Sequence, residues 1–317
     1  MNTRVRPTWA RMAAWAVATV PTISPREVAW VDPRATRHEL AQVTGEDSAR
    51  WAVRRTTSAP SPGERLADAL PADLPGAPPR PAGTTTLGDG STITVRPWVE
   101  GRALRWVMVR PGDPVVEEFA AFLAALHGTH VRALAPDAPH QSDGVTGAPD
   151  ATPTAEDLRA ERLETLDQAA TTGLVPPRLL GRWEEALEDT ELWDITPTVV
   201  HGRLADEHVL VTPDHELAAV MGWSDARVGD PAEDFAVLST SASPDVLSTV
   251  RASYDRRTGR TDERLLERAR LVAEMADLPA LVEAHARGDR DALADIQSDL
   301  SHRSRLLAEA EELDAWE

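Results

Sequence analysis

The spacing of hydrophobic and polar positions changes near residue 115, and the change divides the chain into a β-rich first third and a mainly helical remainder. Residues 7–20 place Ala and Trp at helical intervals until Pro21 stops them. A short strand is predicted at Val28–Val31. His38–Thr44 and Arg50–Arg55 alternate with the period of two that half-buried strands show; Trp51 and Val53 share one face, and Gly45-Glu46-Asp47-Ser48 turns between them. The pair reads as a hairpin. Ser58–Gly63 is a Pro/Ser-rich connection, followed by a short helix over Glu64–Leu70 with Leu66 and Leu70 inward. Pro71–Pro81 is too rich in proline for a helix or strand interior and is expected as an extended surface segment outside the core. Thr84–Leu87 and Ser91–Trp98 make a second hairpin around Gly88-Asp89-Gly90, whose Asp-Gly step supplies the positive φ of a tight turn.

Beyond residue 115, Phe119, Phe122, Leu123 and Leu126 fall on one helical face, and Gly128 ends that helix. Residues 134–154, rich in Pro, Asp, Gly and Ser, are expected as a mobile insertion without chemistry. A helix over Ala155–Thr172 opens with a Thr154-x-x-Asp157 cap, and one over Pro177–Leu187 carries the stripe Leu179, Leu180, Trp183, Ala186, Leu187. Short strands follow at Thr198–Val200, Val209–Thr212 and Leu217–Met221, with a Pro213-Asp214 turn between the last two. After Pro231 the pattern is helical, in long segments near 261–287 and 290–313. The fold class read from this order is α+β and bilobal. A β-rich N-lobe (1–98) is joined by a linker (99–115) to a helical C-lobe (116–317) with a small β insertion, and a ligand cleft is expected between the lobes.

Charge and composition narrow the function classes. With 52 acidic against 33 basic residues the net charge is −19, so the average surface repels a phosphate backbone and nucleic acid is no partner. Every basic residue counted is Arg, which excludes lysine Schiff-base chemistry. Cysteine is absent, which excludes disulfides and thiolate metal sites and suits a cytoplasmic location. The apolar run Met12–Val20 contains Trp15 and is short, so it reads as a folded helix and not as a leader, and no run approaches a membrane span.

The chemistry-bearing stretch is VVHGRLADEHVLVTPDHELAAVMGWSDARVGDPAEDFA, residues 199–236. It resembles the core of aminoglycoside/macrolide phosphotransferases, in which His-Gly-Asp-Leu-x-x-x-Asn-Val-Leu precedes Val-Ile-Asp-Trp and Gly-Asp-Pro-Ala-x-Asp-Leu-Ala. The macrolide branch is the nearer likeness. Arg50-Trp51-Ala52-Val53-Arg54 is similar to that branch's Trp-Val-Leu-Arg strand, and Gly173-Leu-Val-Pro-Pro with Arg182-Trp-Glu-Glu-Ala-Leu to its helical spacer. The likeness extends from about residue 8 to about 290 and is densest over 197–238, where His201, Gly202, Leu204, Val209, Leu210, Trp223, Ala226, Gly229, Asp230, Pro231, Ala232 and Asp234 keep the family spacing. The resemblance implies a protein-kinase-like fold with a nucleotide between the lobes.

Three departures matter more than the matches. Arg203 stands where the family has its catalytic Asp, His208 where it has a metal-binding Asn, and Gly222 where it has a metal-binding Asp. A guanidinium cannot take a proton at neutral pH, imidazole prefers softer metals than Mg²⁺, and glycine offers no ligand. The expectation is weak or absent Mg²⁺ binding and a pseudokinase that holds a small molecule, a nucleotide (ATP or GTP) or a protein partner without efficient phosphoryl transfer. One rival is an active ATP- or GTP-dependent kinase of small-molecule hydroxyls in which the neighbouring Asp206, Glu207 or Asp225 substitutes for the lost acids. Another is a non-catalytic acidic interaction module.

By the same resemblance, Arg54 occupies the strand position that faces nucleotide phosphates, with Glu64 as its helix partner; the plainer reading is a surface Arg. His201, Asp230 and Asp234 read as structural, the two acids holding the loop through its backbone. No metal-ligand spacing is recognised, and Trp183, Trp193 and Trp223 read as core.

Overall fold

The computed structural model describes residues 8–31, 39–129 and 152–314. Its first element, α1 (Trp9–Thr19), is capped by the Thr8 side chain. Five antiparallel strands follow: β1 (Pro25–Trp30), β2 (Glu39–Gly45), β3 (Arg50–Thr56), β4 (Gly83–Thr86) and β5 (Thr92–Pro97), in the spatial order β1-β2-β3-β5-β4. Alternation along β2, β3 and β5 sends Ala41, Val43, Val53, Ile93 and Val95 to one face, where Met12 and Ala16 of α1 cover them. This small core is the upper lobe.

Between β3 and β4 the chain leaves that lobe. The helix α2 (Pro62–Ala69) begins with a capping box in which Ser61 and Glu64 satisfy each other's backbone N–H groups, and Pro62 sits in its first turn. Its Leu66, together with Leu70, Leu74 and Ala77, packs into the large core of the lower lobe. The sequence reading of Pro71–Pro81 as a surface segment outside the core is therefore corrected. Leu74 is buried, and Val220 N–H donates to the Gly76 carbonyl at 2.7 Å. Proline prevents ladder pairing there, but it does not prevent the leucines beside it from anchoring an irregular segment.

The stretch 99–115, expected as a plain linker, holds structure of its own. Its strand β6 (Arg102–Ala103) pairs with β8 (Val209–Val211), which pairs with β9 (Leu217–Val220). Trp106 is buried and meets the Phe119 ring edge-on at 4.8 Å. The connection is thus riveted to the lower lobe. There α3 (Pro114–His127) buries Phe119, Phe122, Leu123 and Leu126 as its periodicity required.

A second helical core gathers α4 (Ala155–Thr171), α5 (Pro177–Glu188) and Trp193 against later helices. The strand β7 (Thr198–Val200) pairs with β10 (Arg227–Gly229). The remaining helices are α6 (Ala232–Ser241), α7 (Pro244–Thr258), α8 (Leu265–Glu274), α9 (Leu278–Arg287) and α10 (Arg290–Asp314). What was expected as one segment over 261–287 is two helices, because Pro279 lacks the N–H a continuing helix needs and serves in the first turn of a new one. Most of the 134–154 insertion lies outside the described residues. Among the described residues no helix is long and apolar enough to cross a membrane.

Candidate functional site

Two loops bridge the same two small sheets. Residues 201–208 run from β7 to β8 and residues 221–226 from β9 to β10, so pairing of β7 with β10 and of β8 with β9 sets the loops side by side. This brings Arg203, His208 and Gly222 together. His208 Nδ1–H donates to the Arg203 carbonyl at 2.7 Å, and Met221 N–H donates to the His208 carbonyl at 2.8 Å. Gly222 has φ +81°, and a Cβ placed on it would stand 2.3 Å from His208 Cδ2 and 2.5 Å from Nε2. The imidazole fills the space that any side chain at 222 would need. Arg203 is exposed, and among the described residues its guanidinium makes no ion pair.

The backbone of the first loop hangs from one carboxylate. Asp234, fully buried on α6, accepts His201 N–H at 2.8 Å and Gly202 N–H at 2.9 Å. It also accepts His127 Nε2–H at 3.1 Å, and His127 Nδ1 in turn takes the Tyr254 hydroxyl at 2.9 Å. Burial works to raise the Asp234 carboxyl, but the hydrogen bonds from the His127 ring and the His201 backbone hold it below its ordinary range. Asp230 caps the turn into α6 through Ala232 N–H and forms a buried ion pair with Arg268 at 2.9 Å. Glu233, raised by burial, lies between Arg162 and Arg227.

His201 is fully buried beside Trp223, with ring centroids 4.8 Å apart. Its Nε2–H donates to the Met221 carbonyl at 2.8 Å, so it joins the two loops as a neutral ring. Burial lowers its pKa below the ordinary 6.5, opposed in part by the Asp234 charge. A group depressed in the folded state stabilises above its unfolded pKa and withdraws that stability as pH falls. Thermal stability is therefore expected to decline as pH drops through about 6.5, with a further decline in the carboxylate range from Asp234. Melting curves of the wild type and His201→Gln across pH 4–8 check it: the variant should lose the upper part of the decline.

On the upper side, Arg54 of β3 pairs with Glu64 of α2 at 2.5 Å. The same helix start touches the second loop, with the Ser61 hydroxyl donating to the Ser224 carbonyl at 3.0 Å. A Cβ on Gly63 would lie 2.3 Å from the Trp223 carbonyl oxygen, 2.6 Å from Ala226 N and 2.8 Å from the Ser224 carbonyl oxygen. The ion pair and the loop that carries Gly222 thus share one support.

Each neighbouring acid has its own setting. Asp206 is turned toward Trp106 of the linker, whose backbone N–H it accepts; burial raises its pKa, and one of its oxygens has no partner. Glu207 is exposed. Asp225 is exposed too, takes the Ser224 hydroxyl at 3.2 Å, and has its carbonyl against Gly202. No group of three His, Asp or Glu side chains that could hold a metal ion occurs among the described residues.

Sequence reasoning missed His127, Tyr254 and Arg268. His127 directly follows the apolar stripe of α3 at Leu123 and Leu126, and Arg268 lies between Leu265 and Leu271 of α8. A polar group on a buried helical face must find a partner, which was the available signal.

The fold, the paired loops and the Arg54–Glu64 bridge define a kinase-like phosphotransferase scaffold. The profile of the phosphotransferase enzyme family matches residues 41–272, and the chain belongs to that family. It is 27% identical over 150 residues to the uncharacterized protein YcbJ of Bacillus subtilis (strain 168), covering 47% of this chain and 45% of that protein. It is 33% identical over 104 residues to viomycin phosphotransferase of Streptomyces vinaceus, covering 32% of this chain and 35% of that protein. The matches thus span less than half the length of either relative. Among solved structures, macrolide 2'-phosphotransferase type I superposes with a TM-score of 0.74 at 22% identity, over 95% of this chain and 99% of that one. That likeness establishes the α+β, protein-kinase-like fold.

Proposed function

We propose that this chain is a degenerate phosphotransferase, a pseudokinase that holds an anionic ligand such as ATP or GTP, or a protein partner, in its cleft without efficient phosphoryl transfer. One observation carries the reading: with Arg203 at the position of the general base, the His208 ring occupies the volume that a metal-binding side chain at 222 would fill. Mg²⁺ needs converging oxygens, and a permanent cation beside the same loop opposes it further. Losing the general base alone costs about 10²- to 10⁴-fold in rate. The Arg54–Glu64 bridge and Arg203, which makes no ion pair among the described residues, support anion binding without metal. The rival reading, an active small-molecule kinase using displaced acids, has little support from Asp206, which is turned to the linker.

The wild type is expected to show no Mg²⁺-dependent hydrolysis of ATP or GTP, while either nucleotide without Mg²⁺ raises its melting temperature. The triple variant Arg203→Asp/His208→Asn/Gly222→Asp is expected to gain Mg²⁺-dependent turnover. Robust turnover by the unaltered protein overturns the proposal. The order of reversion matters as well. Gly222→Asp alone should cost about 2–4 kcal/mol, from left-handed backbone strain plus displacement of the imidazole. Adding His208→Asn should restore about half of it, because only the overlap is relieved; denaturant titration of the single and double variants reads this coupling.

A further inference from the structure

The helix α1 buries one side and leaves an apolar surface on the other. Met12 and Ala16 turn onto the five-stranded sheet, while Trp9 and Val17 are 56% and 37% exposed, with Ala10, Ala14 and Ala18 exposed between and beside them. Among the described residues the other large apolar side chains so exposed are Val107, Met108 and Leu306. The helix carries one charge, Arg11, whose guanidinium lies 5.4 Å over the Trp15 ring and makes no ion pair among the described residues.

The charge around this helix is opposite in sign to the rest of the chain. All 52 acidic residues begin at Glu27, whereas Arg4, Arg6, Arg11 and Arg26 precede them, so a chain of net charge −19 holds one purely cationic stretch and α1 lies within it. The fold keeps that stretch apart. Val53 faces α1, and Arg54, the next residue of β3, faces the other side of the sheet, where it meets Glu64. Packed layers stand about 10 Å apart and charges are screened over about 8 Å at physiological salt, so acids beyond the sheet do not cancel the charge at α1.

We propose that the outer face of α1 docks on an anionic lipid surface, with Trp9 and Val17 entering the headgroup boundary and the arginines meeting the lipid phosphates. A protein partner fits less well. Eleven helical residues span only about 16 Å, too little for the roughly 800 Å² per side that a specific protein interface buries. A lipid boundary needs no shape-matched counterpart, and tryptophan favours it because its ring is apolar and its N–H is polar. Docking in this orientation leaves the Arg54–Glu64 side of the sheet open.

Flotation of the full chain with lipid vesicles tests this. An equal mixture of phosphatidylglycerol and phosphatidylcholine is expected to carry the protein, with affinity about tenfold or more above that of phosphatidylcholine alone and reduced by added salt. Arg11→Gln should weaken binding about fivefold, and Trp9→Ser, which changes no charge, about tenfold. Val17→Glu should abolish flotation, whereas Leu306→Glu, the same change at an exposed position of α10, should leave it as in wild type. Melting temperatures within about 2 °C of wild type are expected throughout, because the substituted side chains are exposed. The proposal is overturned if the anionic vesicles carry no protein, if Val17→Glu or Trp9→Ser floats as wild type does, or if Leu306→Glu loses as much as Val17→Glu. It is equally overturned if sedimentation velocity shows dimers that Val17→Glu disperses, since a second copy then covers this face.

Discussion

Asp234→Ala is expected to cost about 4 kcal/mol of folding stability and to free the 201–208 loop. The carboxylate is fully buried and accepts three N–H groups, from His201, Gly202 and His127. Truncation leaves those donors buried and unsatisfied, and removing one member of a buried charged network is among the few single changes worth about 3–5 kcal/mol. Asp234→Asn keeps the shape and one acceptor oxygen, so about half the loss is expected. Urea denaturation reads the stability, and hydrogen exchange at His201 and Gly202 reads the loop. If those two amides stay protected in Asp234→Ala, the carboxylate is not what holds them.

The second large effect lies where the lobes meet. Gly63→Val should cost at least about 3 kcal/mol, because its Cβ would fall inside van der Waals contact of three atoms that are all backbone. A side chain in the way can rotate; a carbonyl and an amide of the 223–226 turn can only move with their loop. The start of α2 must then lift away, taking with it the Ser61–Ser224 hydrogen bond and the footing of the Arg54–Glu64 pair. Ser61→Ala makes the control: it removes the cap and that one hydrogen bond and should cost only about 1–2 kcal/mol. Similar losses in the two variants would mean that the helix start is not tightly seated on the loop. A large gap, accompanied by weaker nucleotide binding in Gly63→Val, ties the upper lobe's ion pair to the Gly222 loop.

Much of the fold was legible one residue at a time. The stripe Phe119, Phe122, Leu123, Leu126 and the alternation around Val53 predict helix and strand because each reports burial on one face of a local element, and both faces are buried as expected. Proline was the less reliable guide. At Pro279 it does divide two helices, but at Pro71–Pro81 it suggested a surface segment where Leu74 enters the lower core. Absence of regular hydrogen bonding says nothing about where the neighbouring apolar side chains go.

By itself, then, the chain's residue order pointed to the family through the spacing from His201 to Asp234 and singled out Arg203, His208 and Gly222 within it, since spacing along a strand-loop-strand unit is a local property. Only the tertiary arrangement decided that His208 and Gly222 are one steric unit, that α2 belongs with the lower lobe, and that Asp234 answers to His127 on a distant helix. Those contacts join residues 14 to more than 100 positions apart, by 222 − 208 and 234 − 127. Which distant groups meet is fixed by strand pairing and helix packing over the whole chain, and no period in a short window carries that information.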